Sequence, residues 1–294
     1  MNRKAFLLAM CVVLMWSTVA SAFKLTLTLV TPLQMLWLAV TTGVAILGIA
    51  AWKQQKLLPA WQHLKKSPGF FVLLAFLNPT AYYLILFAAY DILPAQQAQA
   101  LNYTWAVMLS MLAVPFLGQS FTRVNLFSII IAYAGVLVIA TQGELMALDF
   151  KQPLGVALGL SSSIFFSSYW ILNTKYPHDP VITLFLCFGL SLPMLSAIMF
   201  WQNGFTDIPL AAIAGGIYIG AFEMSFAFLC WMSALRLATN TAQLSNLIYL
   251  APPLSLVLLA VIVGEEVLYS TLVGFALIIG GVLLQQLNHR KASV

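Results

Sequence analysis

The stretch Ala211-Ala-Ile-Ala-Gly-Gly-Ile-Tyr-Ile-Gly-Ala-Phe-Glu-Met-Ser-Phe-Ala-Phe-Leu-Cys-Trp231 is long enough to cross a bilayer as a helix, and Glu223 is its only charged residue. A carboxylate near the middle of a membrane helix costs about 2.5–3.5 kcal/mol on insertion scales, so it normally faces protein or a wet cavity. The same helical face carries small side chains at Gly216, Gly220, Ala227 and Cys230. We therefore expect a neighbouring helix or a ligand to approach Glu223 closely.

The composition of the whole chain indicates an integral membrane protein. Of its 294 residues, 62% are hydrophobic and 7% are charged, and the mean hydropathy is +0.96. Soluble domains carry about 25% charged residues, so this surface must face lipid. The net charge of +5 is not arranged as a basic stripe with interleaved aromatic residues, which argues against a nucleic-acid partner.

Ten apolar windows of about 20 residues predict ten membrane-spanning helices. They cover residues 5–23, 33–52, 69–90, 95–117, 124–142, 153–173, 181–201, 210–233, 240–263 and 269–287. With the N-terminus in the cytoplasm, eleven Lys and Arg residues face inward and only Lys24 and Lys151 face outward. This positive-inside bias predicts that both termini are cytoplasmic. The expected fold class is an all-α membrane protein with short loops.

An internal repeat relates the two halves of the chain. Residues 101–137 overlay residues 247–283 without a gap at a shift of 146 positions, which aligns Gly118 with Gly264. Five helices in each half require the second half to insert upside down. We predict an inverted-topology repeat with halves 1–145 and 146–294 in one integrated bundle. Secondary transporters built in this way bind substrate near the membrane midplane at the repeat interface.

The N-terminal residues allow two interpretations. Arg3-Lys4, the following apolar run and Ala20-Ser-Ala22 together resemble a cleavable secretory signal. The alternative is an uncleaved first membrane helix from Ala5 to Phe23. We favour the uncleaved helix because cleavage would remove one helix of the repeat.

Short motifs in this frame resemble the EamA-type branch of the drug/metabolite transporter superfamily. They are Trp16-Ser17 in the first helix, Ala251-Pro-Pro253 in the ninth and Gly264-Glu-Glu266 at its end, and the resemblance covers essentially the whole chain. The first half departs from the pattern, with Gly118-Gln119 where a Gly-Glu pair often stands. The resemblance implies export of small metabolites or drugs across the bacterial inner membrane through a central cavity, without indicating which substrate.

Glu223 corresponds to Asn78 in the third helix at a shift of 145 positions. Pro79 leaves a backbone carbonyl of the preceding turn without its helical partner, which is frequent where a helix lines a cavity. We favour a carboxylate and an amide at similar depth in such a cavity, with Glu223 exchanging a coupling proton or binding a cationic amine. The alternative is a buried acid that bonds Asn78 and only holds two helices together.

Further candidate substrate-binding residues recur at related positions of the two halves. The fourth helix carries Asn102 and Tyr103, and the ninth carries Gln243, Asn246 and Tyr249. Amide rows either join helices, at about 0.6–2 kcal/mol per hydrogen bond, or line a cavity. Their recurrence in both halves favours cavity lining.

Aromatic residues are candidates for the apolar walls of a binding site. We assign this role to Trp16 in the first helix, Tyr82 in the third and Tyr169 in the sixth. The serines around Tyr169, with the nearby Gly155-x-x-x-Gly159, indicate close helix packing in the same region.

No zincin, nucleophile-elbow, Walker or aspartate-pair motif occurs in the sequence. We therefore expect neither an enzyme nor a cofactor or metal, and Cys11, Cys187 and Cys230 are interpreted as reduced thiols. The predicted function is a secondary active transporter that exports a small metabolite, amino-acid-like or amphipathic, by alternating access with proton coupling through Glu223. The expected partners are this small molecule and the lipid bilayer, and the chain is a monomer or homodimer. The alternatives are a gradient-independent facilitator or channel, and a non-transport membrane assembly partner.

Overall fold

The structure, a computed structural model, describes residues 2–144, 151–238, 244 and 247–292, with the side chains of 249 and of 285–292 outside that part. The described residues form helices and connecting turns, with no strand among them. In chain order the helices are α1 Arg3–Leu27, α2 Pro32–Lys53, α3 Leu57–Lys66, α4 Pro68–Ala75, α5 Tyr82–Ile92, α6 Ala95–Asn102, α7 Trp105–Leu117, α8 Arg123–Ala140, α9 Pro153–Lys175, α10 Pro180–Trp201, α11 Leu210–Phe222, α12 Phe226–Leu237, α13 Ala251–Leu258 and α14 Tyr269–Ala292. Wider or tighter helical turns occur at Phe76–Ala81, Leu247–Leu250 and Leu259–Val263.

Eight stretches of the described chain are long and apolar enough to cross a membrane. They are Arg3–Leu27, Pro32–Lys53, Pro68–Ile92, Ala95–Leu117, Arg123–Ala140, Pro153–Lys175, Pro180–Trp201 and Leu210–Leu237. Two shorter apolar helices follow, Ala251–Val263 and Tyr269–Leu284. The protein is therefore an all-helical, multi-pass membrane protein, as its composition predicted.

Three of these stretches are interrupted helices. The first breaks at Asn78, which has non-helical φ −150° and ψ 120°. The second turns at Tyr103–Thr104, between α6 and α7. The third breaks from Glu223 to Ser225, between α11 and α12. Hydropathy did not reveal these breaks, because an apolar window has the same composition whether its helix is continuous or broken.

The connection between residues 53 and 68 corrects the prediction of a plain loop. It contains α3, a helix of 10 residues, which is separated from α2 by three residues and from α4 by Ser67 alone. The helix is too short and too basic to appear in a search for apolar windows of about 20 residues.

The contacts divide the chain into two compact units, and the first comprises Met1–Thr80 and His178–Glu265. In it, α1 packs against α11, α12 and α13, and α2 packs against α10 and α11. A Cβ atom at Gly220 would collide with the backbone oxygen of Ala39, and one at Gly216 would collide with Leu38. This packing confirms the expectation for Gly216 and Gly220, where the neighbouring helix is α2.

The second unit comprises Ala81–Pro177 and Glu266–Val294. Its helix α9 packs against α5, α6 and α7, and α14 packs along α8. A Cβ atom at Gly155 would lie 2.6 Å from Leu93 Cγ, and one at Gly159 would lie 3.1 Å from Leu101 Cβ. The glycine pair predicted to mark close packing therefore does so in α9.

Two glycines that the sequence repeat aligns end their helical segments in the same conformation. Gly118 follows α7 with φ 67°, and Gly264 follows the turn after α13 with φ 76°. Both values lie in the left-handed region, where glycine is the residue with the least steric cost.

Candidate functional site

Each of the three helix interruptions carries a residue that the sequence singled out: Asn78, Tyr103 and Glu223. At Asn78 and at Ser225 the backbone leaves helical geometry, whereas Tyr103 and Thr104 keep αR geometry and their N–H groups bond carbonyls three or four residues earlier. Irregular backbone at membrane depth is tolerated where it is buried in protein or lines a water-filled cavity. The breaks are therefore the first places to look for a ligand site.

In the first unit, the break at Asn78 is stabilised by hydroxyl groups. Thr80 Oγ1 donates a 2.8 Å hydrogen bond to the carbonyl of Ala75 and lies 2.7 Å from Ser191 Oγ on α10. Because the single Thr80 proton goes to Ala75, Ser191 donates to Thr80. The hydroxyls thus replace part of the bonding that Pro79 removes from the helix.

The side chain of Asn78 is 3% exposed. Its Oδ1 atom is buried and accepts no hydrogen bond from the described residues. A buried acceptor without a donor costs roughly 1–3 kcal/mol, so such a group usually marks a place that water or a ligand satisfies. Asn78 therefore remains a candidate ligand contact.

Glu223 directly follows α11 in the first unit and is half-buried. Its backbone N–H donates to the carbonyl of Ile219 at 2.9 Å, which continues the α11 pattern for one more residue. The chain then leaves helical geometry at Ser225, where φ is −129° and ψ is −72°. The carboxylate consequently projects from a helix end rather than from the middle of a continuous helix.

Ser225 is a candidate that the sequence analysis missed. It is fully buried, and its Oγ atom accepts and donates no hydrogen bond among the described residues. A serine in a continuous helix normally bonds the carbonyl four residues earlier, so nothing in the sequence distinguished it. The only available signal was its position two residues after Glu223.

In the second unit, serines of α9 bond the backbone of the α6–α7 break. Ser163 Oγ lies 2.9 Å from Thr104 Oγ1 and donates to the carbonyl of Asn102 at 3.4 Å. Ser167 Oγ donates to the carbonyl of Trp105 at 2.8 Å. The serine row therefore combines close packing with hydrogen bonding to the interrupted helix.

The second unit also brings two predicted residues together. Tyr82 on α5 donates from its hydroxyl to Asn102 Oδ1 at 3.2 Å. The Tyr82 ring is stacked on Phe166 of α9, with centroids 4.3 Å apart and an interplanar angle of 19°. Trp105 meets the same Phe166 edge-on at 5.2 Å. This aromatic cluster, formed by Tyr82, Asn102, Trp105 and Phe166, joins apolar faces to one amide.

Phe166 was not predicted as a site residue. Phenylalanine is frequent in every apolar window of this chain, so only the packing of α5, α7 and α9 identifies it.

The remaining aromatic candidates lie in separate surroundings. Tyr103 meets Phe275 edge-on at 5.7 Å in the second unit. Tyr169 is 4% exposed and packs edge-on against Trp170 at 5.9 Å. In the first unit, Trp16 meets Phe228 edge-on at 6.1 Å, and its Nε1 atom is buried without an acceptor among the described residues.

Three candidates fall outside the described part of the structure. Gln243 and Asn246 lie in undescribed segments, and Tyr249 is described by its backbone alone, within the turn Leu247–Leu250. Their assignment stays a prediction from the sequence.

The described polar groups suit a small organic solute better than a metal ion. In the first unit they are the Glu223 carboxylate, the Asn78 amide, the Ser225 hydroxyl and the Trp16 indole N–H. In the second unit they are the Asn102 amide and the Tyr82 hydroxyl among aromatic rings. No group of three His, Cys, Asp or Glu side chains that could hold a metal ion occurs in the described segments.

Comparisons with known proteins agree with this architecture. The EamA-like transporter family matches the chain twice, over residues 3–141 and 153–285. A "Probable terminal-alkyne amino-acid exporter" of Streptantibioticus cattleyicolor is 30% identical over 196 residues, which are 65% of this chain and 64% of that relative. The chain thus spans under two thirds of that relative's length.

Other relatives match over nearly the full length. "Uncharacterized transporter YvbV" of Bacillus subtilis is 25% identical over 293 residues, 96% of this chain and 91% of the relative. A solved crystal structure superimposes with a TM-score of 0.67 at 20% identity, covering 99% of this chain and 100% of its own, which shows a shared fold. Two matched repeats, apolar spans and transporter relatives together establish that the chain belongs to the EamA-like transporter family.

Proposed function

We propose that this protein is a secondary active transporter of the bacterial inner membrane that exports a small amino-acid-like or amphipathic solute by alternating access. Membership of the EamA-like transporter family supports transport. The name of the Streptantibioticus relative, "Probable terminal-alkyne amino-acid exporter", supports the substrate class and direction. The observation that carries the proposal is that one unit holds a carboxylate, Glu223, and a buried amide acceptor, Asn78, each at a helix interruption.

The first unit offers groups of complementary chemistry for a zwitterion. The Glu223 carboxylate would bind an ammonium group or exchange a proton for it. Asn78 Oδ1 would accept a hydrogen bond, and the indole N–H of Trp16 would donate one to an anionic or carbonyl oxygen. All three groups are buried or half-buried, so an interaction there is weakly screened by solvent.

The second unit, taken by itself, offers an aromatic surface. In the aromatic cluster, Tyr82 and Phe166 form a stacked pair, and their rings would contact an apolar or planar group of the solute. Asn102, already bonded to Tyr82, would keep its amide nitrogen for a polar group of the solute. Tyr103 and Tyr169 are further proposed contacts in this unit, and Gln243, Asn246 and Tyr249 remain proposed contacts in the first unit.

The proposed topology has ten spans, both termini in the cytoplasm and inverted repeats at 1–145 and 146–294. Eight long apolar helices and two shorter ones support this number. The excess of basic residues on one side supports the orientation.

Proton coupling through Glu223 can be tested in proteoliposomes. We expect uptake of the transported amino acid, identified from a panel, to be driven by a pH gradient in the wild type. E223Q keeps the shape of the side chain and removes its charge. The pH-driven part of the flux should therefore fall at least about tenfold, because a single positioned proton-transfer group contributes at least this much to a rate. Initial rates with and without the gradient give this value.

D207N is the matched control for E223Q. Asp207 is an exposed loop acid with φ 57°, a conformation that asparagine tolerates, so its flux should equal that of the wild type. Undiminished pH-driven flux in E223Q would overturn the coupling role. Wild-type flux that runs downhill and ignores the pH gradient would identify the gradient-independent facilitator instead.

A further inference from the structure

Helix α3 (Leu57–Lys66) has two different faces. One face is turned towards the protein, where Ala60 is 1% exposed. Away from this side, Leu58 and Trp61 are 66% and 52% exposed, and Leu57, at the edge between the two sides, is 41% exposed. Three large apolar side chains on one short surface helix form a patch of the kind that marks a contact with a membrane or a partner.

The protein-facing side fixes α3 in place. Lys56, just before the helix, donates to both carboxylate oxygens of Asp179 at 2.9 and 2.8 Å. His63 meets His178 with ring centroids 5.2 Å apart. Asp179 also accepts hydrogen bonds from the first N–H groups of α10. These contacts hold α3 against the start of α10 and leave the face that carries Leu58, Trp61 and, at its edge, Leu57 turned outward.

The connections of α3 place that face at the membrane surface. The helix lies between α2, which ends at Lys53, and α4, which begins at Pro68. Both neighbours belong to spanning stretches, so α3 lies on the membrane side where these stretches end. Ten residues extend about 15 Å as a helix, half of the hydrocarbon thickness, so α3 cannot span. An amphipathic helix tethered in this way lies in the interface plane.

The exposed charges of this connection are positive, and the nearby acid, Asp179, is paired with Lys56. Lys53, Lys65 and Lys66 are exposed, and the sequence contains no acid before Asp91. Lys65 Nζ lies 5.1 Å from the centre of the Trp61 ring. Tryptophan rings and lysine ammonium groups that lie side by side, as Trp61 and Lys65 do, are typical of the boundary between acyl chains and lipid phosphates.

We propose that the outward face of α3 binds the bilayer surface and that Lys53, Lys65 and Lys66 select anionic phospholipid headgroups there. Leu57, Leu58 and Trp61 enter the acyl boundary, while the three ammonium groups bind phosphates above it. The anionic lipid thus becomes a specific partner of the loop between the second and third spans, independent of the transported solute.

Trp61 fluorescence in vesicles tests this assignment. The full-length protein is reconstituted in phosphatidylcholine with one fifth phosphatidylglycerol, and either lipid carries brominated acyl chains that quench nearby indoles. Subtracting the signal of W61F isolates Trp61. We expect brominated phosphatidylglycerol to quench at least about threefold more per mole than brominated phosphatidylcholine, since one lysine near an anionic surface contributes up to about fivefold.

The variant K53Q/K65Q/K66Q should bring this ratio close to one, and the control R3Q/K4Q/R236Q, which removes three other exposed basic side chains, should keep it. Equal quenching by both lipids in the wild type would overturn the headgroup preference. A ratio unchanged in K53Q/K65Q/K66Q would overturn the role of these lysines. Absence of quenching by either lipid would overturn membrane contact and indicate that a protein covers this face.

Discussion

The Tyr82 hydroxyl donates to Asn102 Oδ1 at 3.2 Å and so links α5 to the end of α6, where the fourth span is interrupted. The same Tyr82 ring is stacked on Phe166 of α9. One tyrosine therefore orients an amide of the proposed site and forms part of its apolar wall.

Replacing Tyr82 with phenylalanine separates these two roles. Y82F keeps the stacked ring and removes the hydrogen bond, whose net contribution is about 1 kcal/mol. If that bond orients Asn102 towards the substrate, the KM for transport should rise about fivefold with little change in thermal stability. Y269F, at a residue that is 80% exposed, serves as the control. A KM equal to that of the wild type would contradict the role of this bond.

Asn78 can be tested by comparing transport with stability. Its Oδ1 atom has no partner among the described residues, so N78A removes a buried acceptor without breaking a bond at that atom. We expect the melting temperature to change little and KM to rise at least about fivefold, the effect of one lost substrate hydrogen bond.

Asn125 provides the matched comparison for Asn78. It is also buried, but its amide oxygen accepts from Thr122 at the start of α8. N125A should therefore lower the melting temperature and leave KM unchanged. The opposite pattern in the two variants would show that Asn78 is structural.

Thr80 is expected to be important for stability. T80V removes two buried hydrogen bonds, from Thr80 to the Ala75 carbonyl and from Ser191 to Thr80, which should destabilise the protein by about 1–3 kcal/mol. T28V is the control, because Thr28 makes the same kind of bond to Leu25 at an exposed position where water can replace it. Thermal unfolding of the detergent-solubilised variants measures both, and equal melting temperatures would contradict the prediction.

The contact between α2 and α11 predicts a strict requirement for glycine at position 220. A Cβ atom there would collide with the backbone oxygen of Ala39, which cannot rotate away as a side chain can. G220A should therefore destabilise the protein by about 1–3 kcal/mol, as overpacking does. G280A, where a Cβ atom meets nothing within 4 Å, should be neutral or stabilising by up to about 1 kcal/mol. Thermal unfolding distinguishes them, and a stable G220A would argue against this helix contact.

The contact between α3 and α10 predicts a dependence of stability on pH. Partial burial, with the charges of His63 and Lys66, lowers the pKa of His178 below its usual value near 6.5. The folded protein thus favours neutral His178, and the unfolded chain binds more protons as pH falls through about 6.5. The contribution of His178 is complete above that pH and is lost on acidification.

We therefore expect the melting temperature to fall between pH 7.5 and pH 5.5, and to fall less in H178Q. Asp179 does not confound this window. Partial burial by itself would raise the pKa of Asp179. The hydrogen bonds from Lys56 and from the α10 backbone outweigh this effect, so the pKa lies below its usual value. Its contribution is consequently lost only below pH 4 or so. An identical decrease in H178Q and the wild type would contradict the role of His178.

The sequence alone determined the class of this protein and singled out Glu223 as the candidate acid. A chain with 7% charged residues cannot cover a soluble surface, and apolar windows identify spanning segments because the bilayer has a fixed thickness. Glu223 and Asn78 stood out because polar groups are costly in such windows. Gly220 and Gly155 were identified as packing positions because close helix approach requires small residues.

Only the tertiary structure located the helix breaks and the groups that complete them. A break depends on whether a neighbouring helix can supply hydrogen bonds, as Ser191 does for Thr80 and Ser163 does for Thr104. It likewise identified Ser225 and Phe166, whose residue types are unremarkable in an apolar sequence. Hydropathy along the chain measures how much each residue prefers lipid to water. The hydrogen-bond partner of a buried polar group, in contrast, comes from another helix, so it is defined only once the helices have packed.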